Sequence, residues 1–473
     1  MRIAKNAFSL LSESVIARLS NFIFTLVVVR HMTTFDFGFY SAILSFITIS
    51  GFLAEFGISQ VLVREIAQQK TRSTELFSGA IIVCLLLYVI ISPCTIIAAV
   101  LLGYSQSFIY LVSFAIMGII GNTLVLLAGA VLRAHERMVS LSSMNSGVLI
   151  CSAIVGIIWL QHGAGIRELI VLFVATPTIN ALSLMLYLRR HLTQFSLSKG
   201  LLMWKCLFGK AVPLAIFNLC SIIVLRFDIL LLSKTAGMGD AGVYSAARNI
   251  TDSLFLFTQS IIGAVFPFVA VLWKESVDKA VKNYEQTLRL LVIFGMAATV
   301  GVFLLSEKII LLLYGERYLE SALCLKILIW SFMLGALGGP VGMLLIITED
   351  RLKHFIPYAL GVASISLILN IWLTPKYGYY SASCIALLSS LSAFAFRLMA
   401  VGDILSMRVQ WLKIIWRPVV ASIIMGISLR QVAYLPLSAL VPLGFIAYMT
   451  ALLALGEFAK EYRMLMSRLR APV

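Results

Sequence analysis

Apolar runs of bilayer length alternate with short polar connections over nearly the whole chain. A helix rises about 1.5 Å per residue, so about 20 largely apolar residues cross the hydrocarbon core. Such runs occupy 7–29, 39–58, 77–101, 108–132, 144–160, 167–188, 212–233, 243–272, 288–306, 322–347, 355–374, 379–401, 415–432 and 437–456. The pattern predicts an all-α polytopic membrane protein with about 14 transmembrane helices. The first run begins like a secretory leader, but Glu13 and Arg18 interrupt it and no small-residue cleavage site follows Val29. It is read as a retained first span.

A near-repeat marks three span entrances: GFYSA at Gly38, GVYSA at Gly242 and GYYSA at Gly378. These open spans 2, 8 and 12, all even, so all three enter from the same side. Gly38 and Gly242 fall at matching points of two six-span halves. The pentapeptides read as architecture, a glycine ending the loop and a tyrosine anchoring at the interface.

Composition sharpens the class. Of the 473 residues 61% are hydrophobic and 12% charged, against about 25% charged in soluble domains, so the apolar excess must face lipid. The net charge of +16 would suit a nucleic-acid partner only if gathered on one exposed face. Instead it follows the loops. With the N-terminus in the cytoplasm, 25 of the 37 Lys and Arg residues lie in inside segments, 8 in outside segments and 4 within spans. That bias places both termini in the cytoplasm and excludes nucleic acid as a partner. Trp204, Trp273, Trp411 and Trp416 near inner span ends, and Trp159 and Trp372 near outer ones, suit interfacial anchors.

The longest inside connection divides the chain into an N-terminal lobe at 1–188 and a C-terminal lobe at 212–401. The connector, 189–211, mixes basic residues with Leu, Phe and Trp, as an amphipathic helix on an anionic leaflet would. Residues 57–73 read the same way, and 402–473 supply two further spans and a cytoplasmic tail.

Charge within the spans is the strongest functional signal, because an ionised side chain at mid-bilayer costs at least about 2.5–3.5 kcal/mol. In span 1, Ser14, Arg18, Asn21 and Thr25 share one helix face; in span 2, Ser41, Ser45, Thr48, Glu55 and Ser59 repeat the pattern. Span 8 adds Ser245, Arg248, Asn249, Asp252 and Gln259. Such stripes imply a wet or substrate-filled cavity. Arg226 and Asp228 in span 7 are two residues apart and face nearly opposite ways, so each needs a partner on another helix or a lumen. Arg248 and Asp252, four apart, either pair within their helix or face the cavity. Arg397 lies near the inner surface, within snorkelling reach. The candidate substrate-binding residues are Arg18, Asn21, Arg226, Asp228, Arg248 and Asp252. Their basic excess favours an anionic guest such as a phosphate or pyrophosphate.

Other chemistry is sparse. The sequence has no GxxxxGK[ST] segment, no Ser-His-Asp set and no metal-ligand spacing, so no enzyme activity, cofactor or metal is expected. The seven cysteines fall mostly in apolar runs and read as buried hydrophobes. Pro93, Pro177, Pro267 and the GALGGPVG run at 335–342 mark candidate hinges.

The run FGFYSAILSFITISGFLAEFGISQVLVREIAQQ at 37–69 resembles the polysaccharide transporters of the O-antigen flippase (Wzx-type) family. RFDILLLSKTAGMGDAGVYSAARNI at 226–250 and LLLYGERYLESALCLKIL at 311–328 are similar to the same family, and the likeness runs over most of the chain. It implies the fold of the multidrug/oligosaccharidyl-lipid/polysaccharide exporters: two six-helix lobes in pseudo-twofold relation plus two C-terminal helices. It also implies export of undecaprenyl-pyrophosphate-linked oligosaccharide, an O-antigen or similar repeat unit of lipopolysaccharide, across the cell inner membrane by alternating access. Membrane lipid, a glycan polymerase and a chain-length regulator are the partners it implies. Two readings compete: a cation-coupled drug or metabolite antiporter of the same superfamily, and a non-transporting scaffold for glycan assembly.

Overall fold

Inside hydrocarbon the backbone has to satisfy its own hydrogen bonds, so apolar runs of this length fold as helices. The computed structural model describes residues 2–192, 196–347, 349–405 and 411–457, and every regular element among them is helical. The tail with Lys460, Arg463, Arg468 and Arg470, residue Arg408, and the side chains of Ser14, Cys220 and Pro267 lie outside the described residues.

The first six spans are α1 (Arg2–His31), α2 (Thr34–Glu55), α4 (Ser73–Leu101), the pair α5 (Gln106–Ala115) and α6 (Met117–Ala134), α7 (Met138–Gln161) and α8 (Ile166–His191). Between α2 and α4 lies α3 (Ile58–Gln68), which buries Ile58, Val61, Leu62 and Ile66 and leaves its other face polar. The next spans are α9 (Leu197–Thr235), α10 (Met238–Glu275), α11 (Val277–Leu313), α12 (Ser321–Ile347) and the 57-residue α13 (Glu349–Leu405). The last two are α14 (Trp411–Gln431) and α15 (Leu437–Ala454). Among the described residues, ten stretches are long and apolar enough to cross a membrane. One of them, Leu360–Ala400, holds two spans around a break at Gly378, and α1, α9 and α10 bring the number to fourteen.

Two local details differ from the sequence pattern. Span 4 is broken at Ile116 into α5 and α6. Much of the connector is not a separate surface helix: from Leu197 it runs on unbroken into span 7 as a 39-residue α9. Its Met203 and Leu207 pack on α4 at Gly79, Trp204 and Phe208 pack against the apolar core, and the Lys210 ammonium meets Glu65 of α3 at 2.6 Å. Part of the connector's apolar surface is thus taken up by protein, while Leu201 and Leu202 stay exposed.

The chain packs as two compact units, one of residues 1–245 with 356–382 and the other of 246–355 with 383–473. The first centres on apolar side chains of α3, α4, α6 and α9, including Leu62, Phe77, Leu127 and Leu132. At the α4–α5 turn, Tyr104 bonds Ser233 at 2.7 Å and the Leu230 carbonyl, and Lys234 donates to the Gly103 carbonyl at 2.9 Å. Burial pushes the Tyr104 hydroxyl pKa up, and the bond to Ser233 acts against it.

The three pentapeptides meet in the first unit. A methyl group on Gly38 would lie 1.8 Å from the Met238 carbonyl oxygen, and one on Gly242 would lie 1.9 Å from that of Thr34. The first turns of α2 and α10 therefore touch backbone to backbone, which only glycine allows. Gly378 breaks α13 with φ +55°, and a methyl there would fall 2.2 Å from an Asp240 carboxylate oxygen. The third copy thus closes on the same turn of α10.

In the second unit the C-terminal pair is pinned to α11 at both ends. Glu457, whose side chain is 1% exposed, takes an ion pair from Arg289 of α11 and another from Arg417 of α14 at 3.2 Å. At the opposite end Lys308 donates to the Leu435 carbonyl at 2.6 Å, and midway Tyr448 donates to the Ile293 carbonyl at 2.8 Å. The glycines of α12 receive neighbours: Phe255 lies against Gly335, Ile262 against Gly339 and Arg397 against Gly338.

Outward surfaces are apolar, with Leu101 81% and Phe445 63% exposed, as lipid-facing helices require. Cysteine departs from expectation: Cys84 and Cys324 are buried, but Cys94, Cys151, Cys206 and Cys384 are exposed. A thiol costs little against lipid, so an apolar surrounding sequence does not imply burial in protein.

Gly38→Ala and Gly242→Ala should each lower the thermal unfolding midpoint of the detergent-purified chain. The loss should be about 1–3 kcal/mol or more, the cost of overpacking a close contact. Gly147→Ala, whose methyl would meet nothing within 4 Å, is the control and should not lower it.

Candidate functional site

The first unit encloses a cavity of about 640 Å³ among α1, α2, α6, α7 and α8. Helix periodicity decides what lines it. Tyr40, Leu44, Thr48, Gly51 and Glu55 recur along one face of α2, and Glu13, Ala17, Asn21 and Phe24 along one face of α1. That α1 face shares Asn21 with the Ser14–Arg18–Asn21–Thr25 line but is turned by about one residue, or 100°. Arg18 and Thr25 are not on the cavity wall, and Thr25 donates to its own helix at the Asn21 carbonyl, 2.8 Å away. In α2, Ser45 likewise donates to the Ser41 carbonyl at 2.8 Å and both are buried in packing, while Thr48 reaches the cavity.

The polar groups of this wall form a chain. Ser142 donates to Glu13 at 2.8 Å, Asn145 donates to the other Glu13 oxygen at 2.7 Å, and Asn180 donates to the Asn145 carbonyl oxygen at 2.9 Å. Asn180 is 7% exposed, and its own Oδ1 has no hydrogen-bond partner among the described residues. Glu55, 6% exposed, accepts from the Gly57 and Ser59 amides at 2.9 and 2.6 Å. It caps α3, holding the left-handed Phe56–Gly57 turn that separates α2 from α3. Arg133 interacts electrostatically with both carboxylates without lining the cavity.

The other candidates lie on α9 and α10. Asp228, 4% exposed, accepts a short hydrogen bond from the Tyr244 hydroxyl and another from the Ile229 amide at 2.8 Å. Tyr244 is the tyrosine of the second pentapeptide and is fully buried, so the carboxylate of span 7 finds its partner on span 8. Arg226, on the opposite side of α9, is half-buried. In the second unit Arg248 pairs with Asp252 along α10 at 3.9 Å, with Arg248 the more buried. The structure thus brings Asn21 to the first cavity, joins Arg248 to Asp252, and ties Asp228 to Tyr244.

A second cavity, of about 780 Å³, lies within the second unit among α10, α11, α14 and α15. Its wall is almost wholly apolar, with Phe257, Phe294, Val302, Leu440 and Phe445, and the polar exceptions include Gln286 and Arg289.

Sequence reasoning weighed charges first: it named Asn21 and Asn249 but passed over three further amides. Asn122, Asn145 and Asn180 each sit inside an apolar run, in spans 4, 5 and 6, and all three line the first cavity. An amide in hydrocarbon also needs partners, so these positions carried a signal.

A family model described as polysaccharide biosynthesis protein matches residues 27–323, and the chain belongs to that family. No curated protein matches the chain. Among solved structures it is similar to the lipid II flippase MurJ in an inward closed conformation, with 15% identity, 97% of this chain and 99% of that chain covered, and a TM-score of 0.80. It is also similar to an inward-facing MATE family multidrug transporter of the MOP superfamily, at 15% identity, 85% and 99% coverage and TM-score 0.62. The eukaryotic MATE transporter AtDTX14 follows at 13% identity, 89% and 98% coverage and TM-score 0.61. The fold is that of these exporters. The chain is a multi-pass membrane protein of the polysaccharide biosynthesis family that shares the fold of these transporters.

Tyr244→Phe should destabilise the chain by about 1–3 kcal/mol, since it removes the hydroxyl donor of a buried carboxylate. Asp228→Asn combined with Tyr244→Phe should cost less than the two single losses added together. Additive losses in thermal unfolding would show that the two groups are not coupled.

Proposed function

We propose that this protein is a flippase for undecaprenyl-pyrophosphate-linked oligosaccharide, moving it from the cytoplasmic to the outer leaflet of the cell inner membrane by alternating access. The carrying observation is that a chain of the polysaccharide biosynthesis family holds, within one unit, a cavity whose largely apolar wall carries two carboxylates and four asparagines. Polar groups set in an apolar wall suit an amphiphile with a glycan head and a polyprenyl tail. Among known folds, that of a lipid II flippase supports the reading. The residues we assign to substrate binding are Arg18, Asn21, Arg226, Asp228, Arg248 and Asp252, and guanidinium offers a pyrophosphate planar paired donors. We keep the six, six and two division of spans with a cytoplasmic N-terminus, and we expect a glycan polymerase and chain-length regulator to act on the exported repeat unit. An O-antigen or similar lipopolysaccharide unit is the substrate class.

A cation-coupled antiporter is the second reading. Glu13 on the cavity wall, held by Ser142 and Asn145, is the observation that favours it.

Arg18→Ala, Arg226→Ala and Arg248→Ala should each cut flipping of a fluorescent pyrophosphate-lipid in proteoliposomes by about tenfold or more, the scale of one lost charge-assisted contact. In cells the Arg18 variant should lose surface polymer at normal protein level, with substrate accumulating on the inner leaflet. Intact surface polymer would count for a scaffold, and drug efflux driven by an ion gradient would favour the antiporter.

A further inference from the structure

We propose that the cavity of the first unit is the glycan subsite, and that it selects an uncharged oligosaccharide rich in hydroxyl and acetamido groups over an acidic one. This rests on the flippase reading and adds the substrate class to it.

Charge decides against an acidic guest. Glu13 and Glu55 line the cavity, and among the described residues no Lys or Arg does. Arg133 offsets part of that charge from off the wall, which leaves one more carboxylate than guanidinium. Like charges brought together in a low-dielectric pocket repel, so a uronate or a phosphate is disfavoured there.

Hydrogen bonding favours a neutral, polar guest. Asn21 and Asn122 present amides, each with donors and acceptors, which match sugar hydroxyls and acetamido groups in either direction. Asn180 is more than nine-tenths buried, its Oδ1 is sealed from the cavity, and its N–H donates to the Asn145 side-chain oxygen at 2.9 Å. Asn180 thus holds in place the Asn145 amide that lines the same wall. Phe24, Tyr40, Phe52 and Phe173 supply ring faces for the C–H face of a pyranose. The volume of about 640 Å³ falls within the roughly 300–1,000 Å³ of pockets that enclose small ligands.

The test is isothermal titration of the full chain, purified in detergent, with two probes of equal length: neutral chitotriose and anionic tri-galacturonate. Chitotriose should bind about tenfold more tightly or better, the scale of one unfavourable charge contact or one lost buried hydrogen bond. Asn180→Ala and Asn122→Leu should each weaken chitotriose. Asn122 is exposed to the cavity, so its variant keeps the fold and decides the matter if Asn180→Ala does not express. Glu13→Gln should raise the affinity for tri-galacturonate. Tri-galacturonate binding as tightly as chitotriose would overturn the subsite. So would chitotriose binding unmoved by Asn122→Leu, or tetraphenylphosphonium displacing chitotriose from a tighter site. Proteoliposome flipping separates this from the parent reading. Equal transport of pyrophosphate-lipids bearing neutral and uronate glycans sinks the subsite and spares the flippase. Chitotriose binding with neither lipid flipped keeps the subsite and removes the flippase.

Discussion

Hydrocarbon offers no hydrogen bonds, and this single constraint shapes the molecule. Every polar group placed between the ends of a span has to find a partner in protein or line a cavity. The chain meets it in three ways. Hydroxyls of Thr25, Ser45, Thr48 and Thr95 turn back on carbonyls four residues earlier in their own helices. Carboxylates are handed between elements, Asp228 to Tyr244 and Glu457 to two arginines. What cannot be satisfied locally is gathered around a cavity, as with Glu13, Asn145 and Asn180.

The same constraint explains why the architecture could be read from the sequence. Span lengths follow from bilayer thickness, so fourteen apolar runs gave fourteen spans, and the glycine that opens the third pentapeptide marked the break in α13. The three pentapeptides read as architecture, but their meeting could not be seen in one dimension. Gly38 and Gly242 are explained only by the carbonyls of Met238 and Thr34 that their missing side chains would strike. A helix boundary was equally opaque where the connector meets span 7: Gly209 and Pro213 suggest a break there, yet the helix runs on from Leu197 to Thr235.

Side-chain roles were less legible, for a geometric reason. One residue of rotation turns a helix by about 100°, enough to move Arg18 off the cavity wall while Asn21 stays on it. Glu55 does line the cavity, but its spacing did not show that its oxygens also accept from the amides that begin α3. The amides were undervalued because they carry no formal charge. In a wall that excludes water an asparagine brings donor and acceptor together, and Asn145 uses both, giving to Glu13 and receiving from Asn180.

A transporter must also let go, and this bears on why a glycan would be held by amides while arginines are kept for its phosphates. A neutral hydrogen bond exchanged against water is worth only about 0.5–1.5 kcal/mol, and one to a charged group about 1.5–3. A head group bearing many hydroxyls, gripped at each by a charge, would be bound too well to leave. Held by Asn21 and Asn122, each contact would be close to an even exchange with solvent, so specificity would come from the number of matched groups and from the repulsion of Glu13 and Glu55. The few strong contacts would then be confined to the one group such lipids share, and the sugar, which differs between substrates, would be read by weak ones.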